Sequence, residues 1–165
     1  MTISYNWLLD YLPVRVEPER LNRILNSIGL EVEGMEEYDE VSGGLRGLII
    51  GEVLEVVKHP GADKLSLTKV DVGASAHLSI VCGAPNVAVG QKVVVAPVGA
   101  TIHPIKGGPV TMKLARIRGE ESQGMICAED EVGLGNSHAG IMVLSTDLKP
   151  GTPASEHFKP YSDIV

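Results

Sequence analysis

At Ser42-Gly43-Gly44 the apolar periodicity of this chain changes, and the change limits what the remainder can fold into. From Leu45 to about Thr146 no stretch keeps the three-to-four spacing of an amphipathic helix. Apolar residues, mostly valine and isoleucine, come instead in short runs separated by Gly, Pro or Asn, the pattern of strands and tight turns. The runs lie near Leu48–Val57, Leu65–Val72, His77–Cys82, Gln91–Ala96, Thr111–Ile117, Gln123–Cys127 and Ile141–Leu144. Many short strands without a long helix must leave edges open or close on themselves, and closure removes the edges. The reading is a small closed β-barrel.

Two details refine it. Leu48–Val57 is apolar on both faces except for Glu52 and Glu55, as in a long strand that coils so that both faces are covered. Leu65 and Leu67 fall on the opposite parity from Val70 and Val72, which predicts a β-bulge near Thr68. Ahead of the barrel, residues 4–38 read as helical with a short extended tail. Glu17-Pro18-Glu19 suits a helix start. Leu21, Ile24, Leu25 and Ile28 then form one apolar stripe, and Gly29 is a natural stop. Leu30 and Val32, alternating with Glu31 and Glu33, suggest a brief strand, and Ser42-Gly43-Gly44 a flexible junction.

The charge is uneven. Of the net −7, residues 1–39 hold −5, while residues 40–153 carry ten basic against eleven acidic side chains. The middle is therefore no general polyanion binder. MTISYNWLLDYLP has no basic region before its apolar residues and is not read as a secretory signal. The apolar run Val93–Ile102 is too short to span a bilayer and holds Pro97 and Gly99. Cys82 and Cys127 read as buried free thiols of a reducing compartment, a disulfide being the alternative.

The stretch HPGADKLSLTKVDVG gathers His59, Asp63, Lys64, Lys69 and Asp71, yet catalysis or metal binding needs convergence in space. His59-Pro60 ends a strand, Gly61 allows a sharp turn, and Asp63 can brace the loop by accepting backbone N–H groups two residues on. A shaped loop with no catalytic residue is the simplest reading. The five histidines are too scattered for zinc, and no metal site is expected. No glycine-rich phosphate loop opens a helix, and Glu129-Asp130-Glu131 lacks the alternation of a calcium loop and reads as a solvated face. All six aromatic side chains lie outside the barrel segment, so bases have no ring to stack on. RNA would have to be read as a folded shape, through phosphates and 2′-hydroxyls. Lys106, Lys113, Arg116 and Arg118 form an acid-free basic stretch that could do so, a solvated basic face being the alternative.

HPGADKLSLTKVDVG, IVCGAPNV (Ile80–Val87) and ESQGMICAEDEVGL (Glu121–Leu134) resemble the three signature blocks of the tRNA-binding OB-fold module of the endothelial-monocyte-activating-polypeptide type. SYNWLLDYL and LNSIGLEVEG resemble the start of bacterial phenylalanyl-tRNA synthetase beta subunits. The resemblance implies a mainly β chain: a five-stranded OB-fold Greek-key barrel with a small, incomplete α/β lead-in. The domains it implies are 1–39, the first part of a discontinuous small domain; 40–153, the tRNA-binding barrel; and 154–165, a truncated return to the first. On the same basis the apolar stripe of the lead-in helix should lack part of its cover. The parent would be a cytoplasmic, ATP- and magnesium-dependent ligase that attaches phenylalanine to its tRNA as an α2β2 assembly. Its catalytic, editing and magnesium residues would lie elsewhere, leaving this piece non-catalytic and without a cofactor. Its partners would be tRNA, the remainder of the beta subunit and the alpha subunit, and no membrane. The tRNA-facing candidates are Lys64, Ser66, Asn86, Lys106, Lys113, Arg116, Arg118, Ser122 and Gln123, with His59, Pro60 and Asp63 shaping the loop. The rival is a structural domain that packs within the synthetase and barely touches tRNA.

Overall fold

The computed structural model describes residues 1–165. They fall into two compact units, one formed by Met1–Glu40 with Tyr161–Val165 and the other by Val41–Pro160. In chain order the first elements are α1 (Tyr5–Leu9), α2 (Pro18–Ser27), β1 (Glu37–Asp39) and a 3-10 turn over Ser42–Leu45. Strands β2 (Ile49–Lys58), β3 (Ser66–Asp71), β4 (Leu78–Cys82) and β5 (Lys92–Pro97) follow. Next come β6 (Thr101–Ile102), β7 (Val110–Thr111), β8 (Ala115–Ile117) and β9 (Glu120–Ser122). The chain ends with β10 (Gly124–Ile126), β11 (Val143–Leu144), α3 (Ala154–Phe158) and β12 (Ser162–Ile164).

In the smaller unit β1 and β12 pair antiparallel, Tyr38 opposite Asp163. Ser4 caps α1, its Oγ accepting the Trp7 N–H at 2.9 Å. Pro18 opens α2, where its missing N–H costs nothing. Of the apolar stripe, Leu21 is buried and Leu25 half-buried, while Ile24 and Ile28 are exposed. The strand expected around Leu30 and Val32 does not form. The Val32 N–H goes to Asn26 Oδ1 at 3.1 Å, and pairing starts only at Glu36, which exchanges N–H···O bonds with Val165 ahead of the β1–β12 ladder.

The larger unit is built on five antiparallel strands in the order β10-β5-β2-β3-β4, with β11 continuing the β10 side of β5. The cycle closes between β4 and the β9–β10 junction, where the Gln123 N–H donates to Ser79 O at 2.8 Å. This is the five-stranded, partly open Greek-key barrel of the OB fold. The bulge lies in β2, not near Thr68: the register slips at Leu54, between the pairs Val53–Val70 and Glu55–Lys69. Ile49, Gly51 and Val53 face inward before it and Val56 after it. Thr68 instead takes an interior place, satisfied by donating to Ile80 O at 2.8 Å, and Leu67 turns outward. A Cβ at Gly51 would lie 2.7 Å from both Val70 Cγ1 and Val95 Cγ2, so only glycine fits there.

Val93 to Ala96 are fully buried because β5 has a core on each face. Val93 and Val95 point into the barrel with Val53, Val70, Ile80 and Ile126. Val94 and Ala96 point outward into a second cluster with Leu45, Leu48, Cys127, Val132 and Ala154. That second cluster explains two departures from the sequence reading. Ser42-Gly43-Gly44 is a packed turn, not a flexible junction: the His103 ring lies where a Cβ of Gly43 would be. Helix α3, assigned from sequence to the return segment, stays with the barrel through buried Ala154 and half-buried Phe158.

Candidate nucleic-acid interface

The β2–β3 loop is held in shape by His59, which is 5% exposed. Its N–H donates to Leu65 O at 3.0 Å, closing the loop, and its ring Nδ1 accepts the Gly61 N–H at 3.0 Å. With Nδ1 accepting, the ring proton sits on Nε2, which faces Ile117 O at 3.4 Å. Asp63 is not the brace that the sequence suggested. It is exposed, and the Leu65 N–H, two residues on, goes to Ala62 O at 3.1 Å. A rigid imidazole bridging two backbone segments does what a short carboxylate was expected to do.

The contact with Ile117 joins this loop to the β8–β9 hairpin, more than fifty residues away in sequence. Arg118 and Gly119, at φ 51° and 94°, form the two-residue turn between Ile117 and its partner Glu120. Two consecutive positive φ values match the twist of a hairpin. His59 thus ties the loop that carries exposed Lys64, with exposed Lys58 before it, to the hairpin that carries exposed Arg116 and Arg118. Lys58 escaped the sequence reading because it ends a strand; its adjacency to His59 was the available signal.

The other basic residues separate. Lys106 lies in the β6–β7 connection and Lys113 just after β7, a different hairpin from that of Arg116 and Arg118. The stretch without acids in sequence also gains acids in space, since Glu121 stands opposite Arg116 across β8–β9.

Three of the expected tRNA-facing residues are committed to the barrel. The Ser122 Oγ, 2% exposed, accepts the Val81 N–H at 3.1 Å and donates to Gly124 O at 3.0 Å. Gln123 Oε1 accepts the Ser79 N–H at 3.0 Å. Together they satisfy the free edge of β4 with side chains where backbone pairing is incomplete. Asn86 donates from Nδ2 to Ile141 O and accepts the Ile141 N–H at Oδ1, both at 2.9 Å, imitating one step of a β-ladder. A Cβ at Gly140 would fall 2.2 Å from Asn86 Oδ1, so the chain is bare where the amide docks. Ser66, half-buried at the start of β3, pairs with Lys58 and Cys82. Pro60 is exposed in the loop.

The acidic run is not simply a solvated face. Glu131 Oε2 accepts the Ala128 N–H at 2.7 Å, and Asp130 pairs with His138 at 3.0 Å. That hydrogen bond and the Asp130 charge raise the exposed imidazole above its ordinary range. Both cysteines are buried and free. Burial, with Glu131 adding to it, pushes the Cys127 thiol up to about 12, and burial also raises Cys82. Buried thiols raised in this way are poor nucleophiles.

The barrel places the chain in the OB class of folds, and comparison with known proteins gives its family. Residues 48–153 match the family described as a putative tRNA binding domain, and the chain belongs to that family. Over nearly its whole length it is similar to phenylalanine–tRNA ligase beta subunits. That of Porphyromonas gingivalis is 53% identical over 163 residues, covering 99% of this chain and 20% of that protein. That of Salinibacter ruber is 46% identical over 175 residues, covering all of this chain and 21% of the relative. The chain thus spans about a fifth of the length of these relatives. Among solved structures, the C-terminal domain of Plasmodium vivax p43 aligns at 25% identity and a TM-score of 0.45, covering 63% of this chain and 56% of that one. No helix is long and apolar enough to cross a membrane.

Proposed function

We propose that this chain is the tRNA-contacting module of a phenylalanine–tRNA ligase beta subunit. It would hold folded tRNA by its phosphates while the rest of the assembly joins phenylalanine to the nucleotide. The observation that carries the reading is the His59 ring between Gly61 and Ile117, which supports a paired surface of Lys58, Lys64, Arg116 and Arg118. The segment from Val41 to His157 contains no Phe, Trp or Tyr, so base stacking cannot supply affinity on the barrel. Recognition then rests on backbone shape and charge. Lys106 and Lys113 add a second, separate contact. ATP and magnesium serve the parent enzyme away from this chain, in the cytoplasm. The remainder of the beta subunit and an alpha subunit, in an α2β2 assembly, are its protein partners. The small unit is one part of a discontinuous domain that further chain completes.

The test is tRNA binding by variants at several salt concentrations. Replacing Arg116 and Arg118 by Ala should weaken binding to all tRNA sequences alike and flatten the log–log salt slope by roughly 1 per lost phosphate contact. His59→Ala should weaken binding with the slope nearly unchanged, because it removes the loop's brace and no phosphate contact. An unchanged slope in the double variant would reject the surface.

A second reading has its own support. Asn86, Ser122 and Gln123 are spent on the barrel and are not free for RNA, which favours a structural domain that touches tRNA little. Absence of tRNA binding at low salt would decide for it.

A further inference from the structure

The outer face of β2, β3 and β4 meets the β8–β9 hairpin in a cleft of about 270 Å³. Its floor is the cross-strand pair Val57 and Leu67, with Val57 58% exposed. Its rim carries Glu55, Glu120 and Glu121, and Lys69 is the one cation among the lining residues. This is the strand face on which OB folds commonly seat nucleic acid, but here the lining sums to a net negative charge. Phosphates would meet three carboxylates, and bases would meet aliphatic side chains instead of rings.

An aliphatic floor below a carboxylate rim is complementary to a long cationic side chain. The methylene stem of Arg or Lys covers Val57 and Leu67 while its charged head reaches the glutamates. We propose that this cleft docks a cationic segment of a protein partner, an Arg or Lys flanked by aliphatic residues. The occupant is a polypeptide because the floor offers apolar contact and the rim repels phosphate. A second copy of this chain, with its net charge of −7, is a poor source of such a segment. The inference goes beyond the tRNA reading, although Arg116 and Arg118 of that reading stand on the same β8–β9 hairpin, Arg116 opposite Glu121.

The test uses the whole chain and a fluorescein-labelled peptide, Gly-Leu-Arg-Leu-Arg-Leu-Gly, titrated by anisotropy at low and moderate salt, with the Glu-for-Arg peptide as control. The wild type should bind the Arg peptide and not the Glu peptide. E120Q/E121Q and, separately, V57K should each weaken binding roughly tenfold. E17Q/E19Q, which removes the same charge from α2, should leave it unchanged, and tRNA affinity should not fall in any of them. No binding by the wild type, or equal losses in E120Q/E121Q and E17Q/E19Q, would overturn the proposal. So would a wild-type dimer that E120Q/E121Q dissociates.

Discussion

Asp163 is the group whose titration should be visible in the folding of the smaller unit. It is 8% exposed, and its carboxylate accepts four hydrogen bonds. Ser4 Oγ and Tyr161 OH donate to Oδ2; the Asn6 and Ile164 N–H groups donate to Oδ1 at 2.9 and 2.8 Å. Burial alone would push this carboxyl up. The donors, Ser4 first and then Tyr161, outweigh it and hold the group at about 2. A carboxyl depressed on folding stabilises above its unfolded value, ordinarily about 3.9, and the gain disappears as the pH falls through the folded value. The interval is worth roughly 2–3 kcal/mol, of which about half is gone by pH 3. Trp7, the one tryptophan, is a built-in reporter, since its N–H is capped by the same Ser4 that donates to Asp163. Urea unfolding followed by Trp7 fluorescence should show the wild type losing about 2 kcal/mol between pH 6 and pH 2 relative to Asp163→Asn. At neutral pH the variant should be the weaker by that amount. Parallel pH profiles for the two proteins would refute the reasoning.

Two further outcomes follow from the barrel. Ser122→Ala leaves the buried Val81 N–H without its acceptor and should cost about 1–3 kcal/mol. Faster amide exchange at Val81, with an unaltered tRNA salt slope, is the expected signature; unchanged exchange would count against side-chain closure of the barrel. Cys127, fully buried and held at about 12, should resist iodoacetamide at pH 8 in the native protein and react in urea, as read by mass spectrometry. Native labelling would show that the second core opens.

The barrel was legible because short β-branched runs bounded by Gly, Pro or Asn read as strands, continuous in β5 where both faces are covered. Its bulge was not placed correctly because parity in β3 was read without β2. Leu54 absorbs the slip, while Thr68 can stand inside only because Ile80 O accepts its hydroxyl proton. The candidate site divides in the same way. That the loop after His59 has a fixed shape follows from its turn residues, but its brace depends on a carbonyl in β8 that no local pattern reveals. Asn86, Ser122 and Gln123 carry groups that can serve a ligand or the backbone, and only the fold reveals Ile141, Val81 and Ser79 as their partners. Arg118-Gly119 was readable as a hairpin turn, and reading it so would have set Glu121 opposite Arg116 from sequence alone.

The central claim, that two loops joined through His59 present cations to folded tRNA, is tested most directly by titrating this chain with tRNA, an unstructured RNA and a DNA duplex over a range of salt. The expected result is weak binding, on the order of micromolar, with preference for tRNA. The log–log slope should lie at roughly −3 to −5, as about four to six phosphate contacts require. No binding at low salt, or equal affinity for the unstructured RNA, would contradict it.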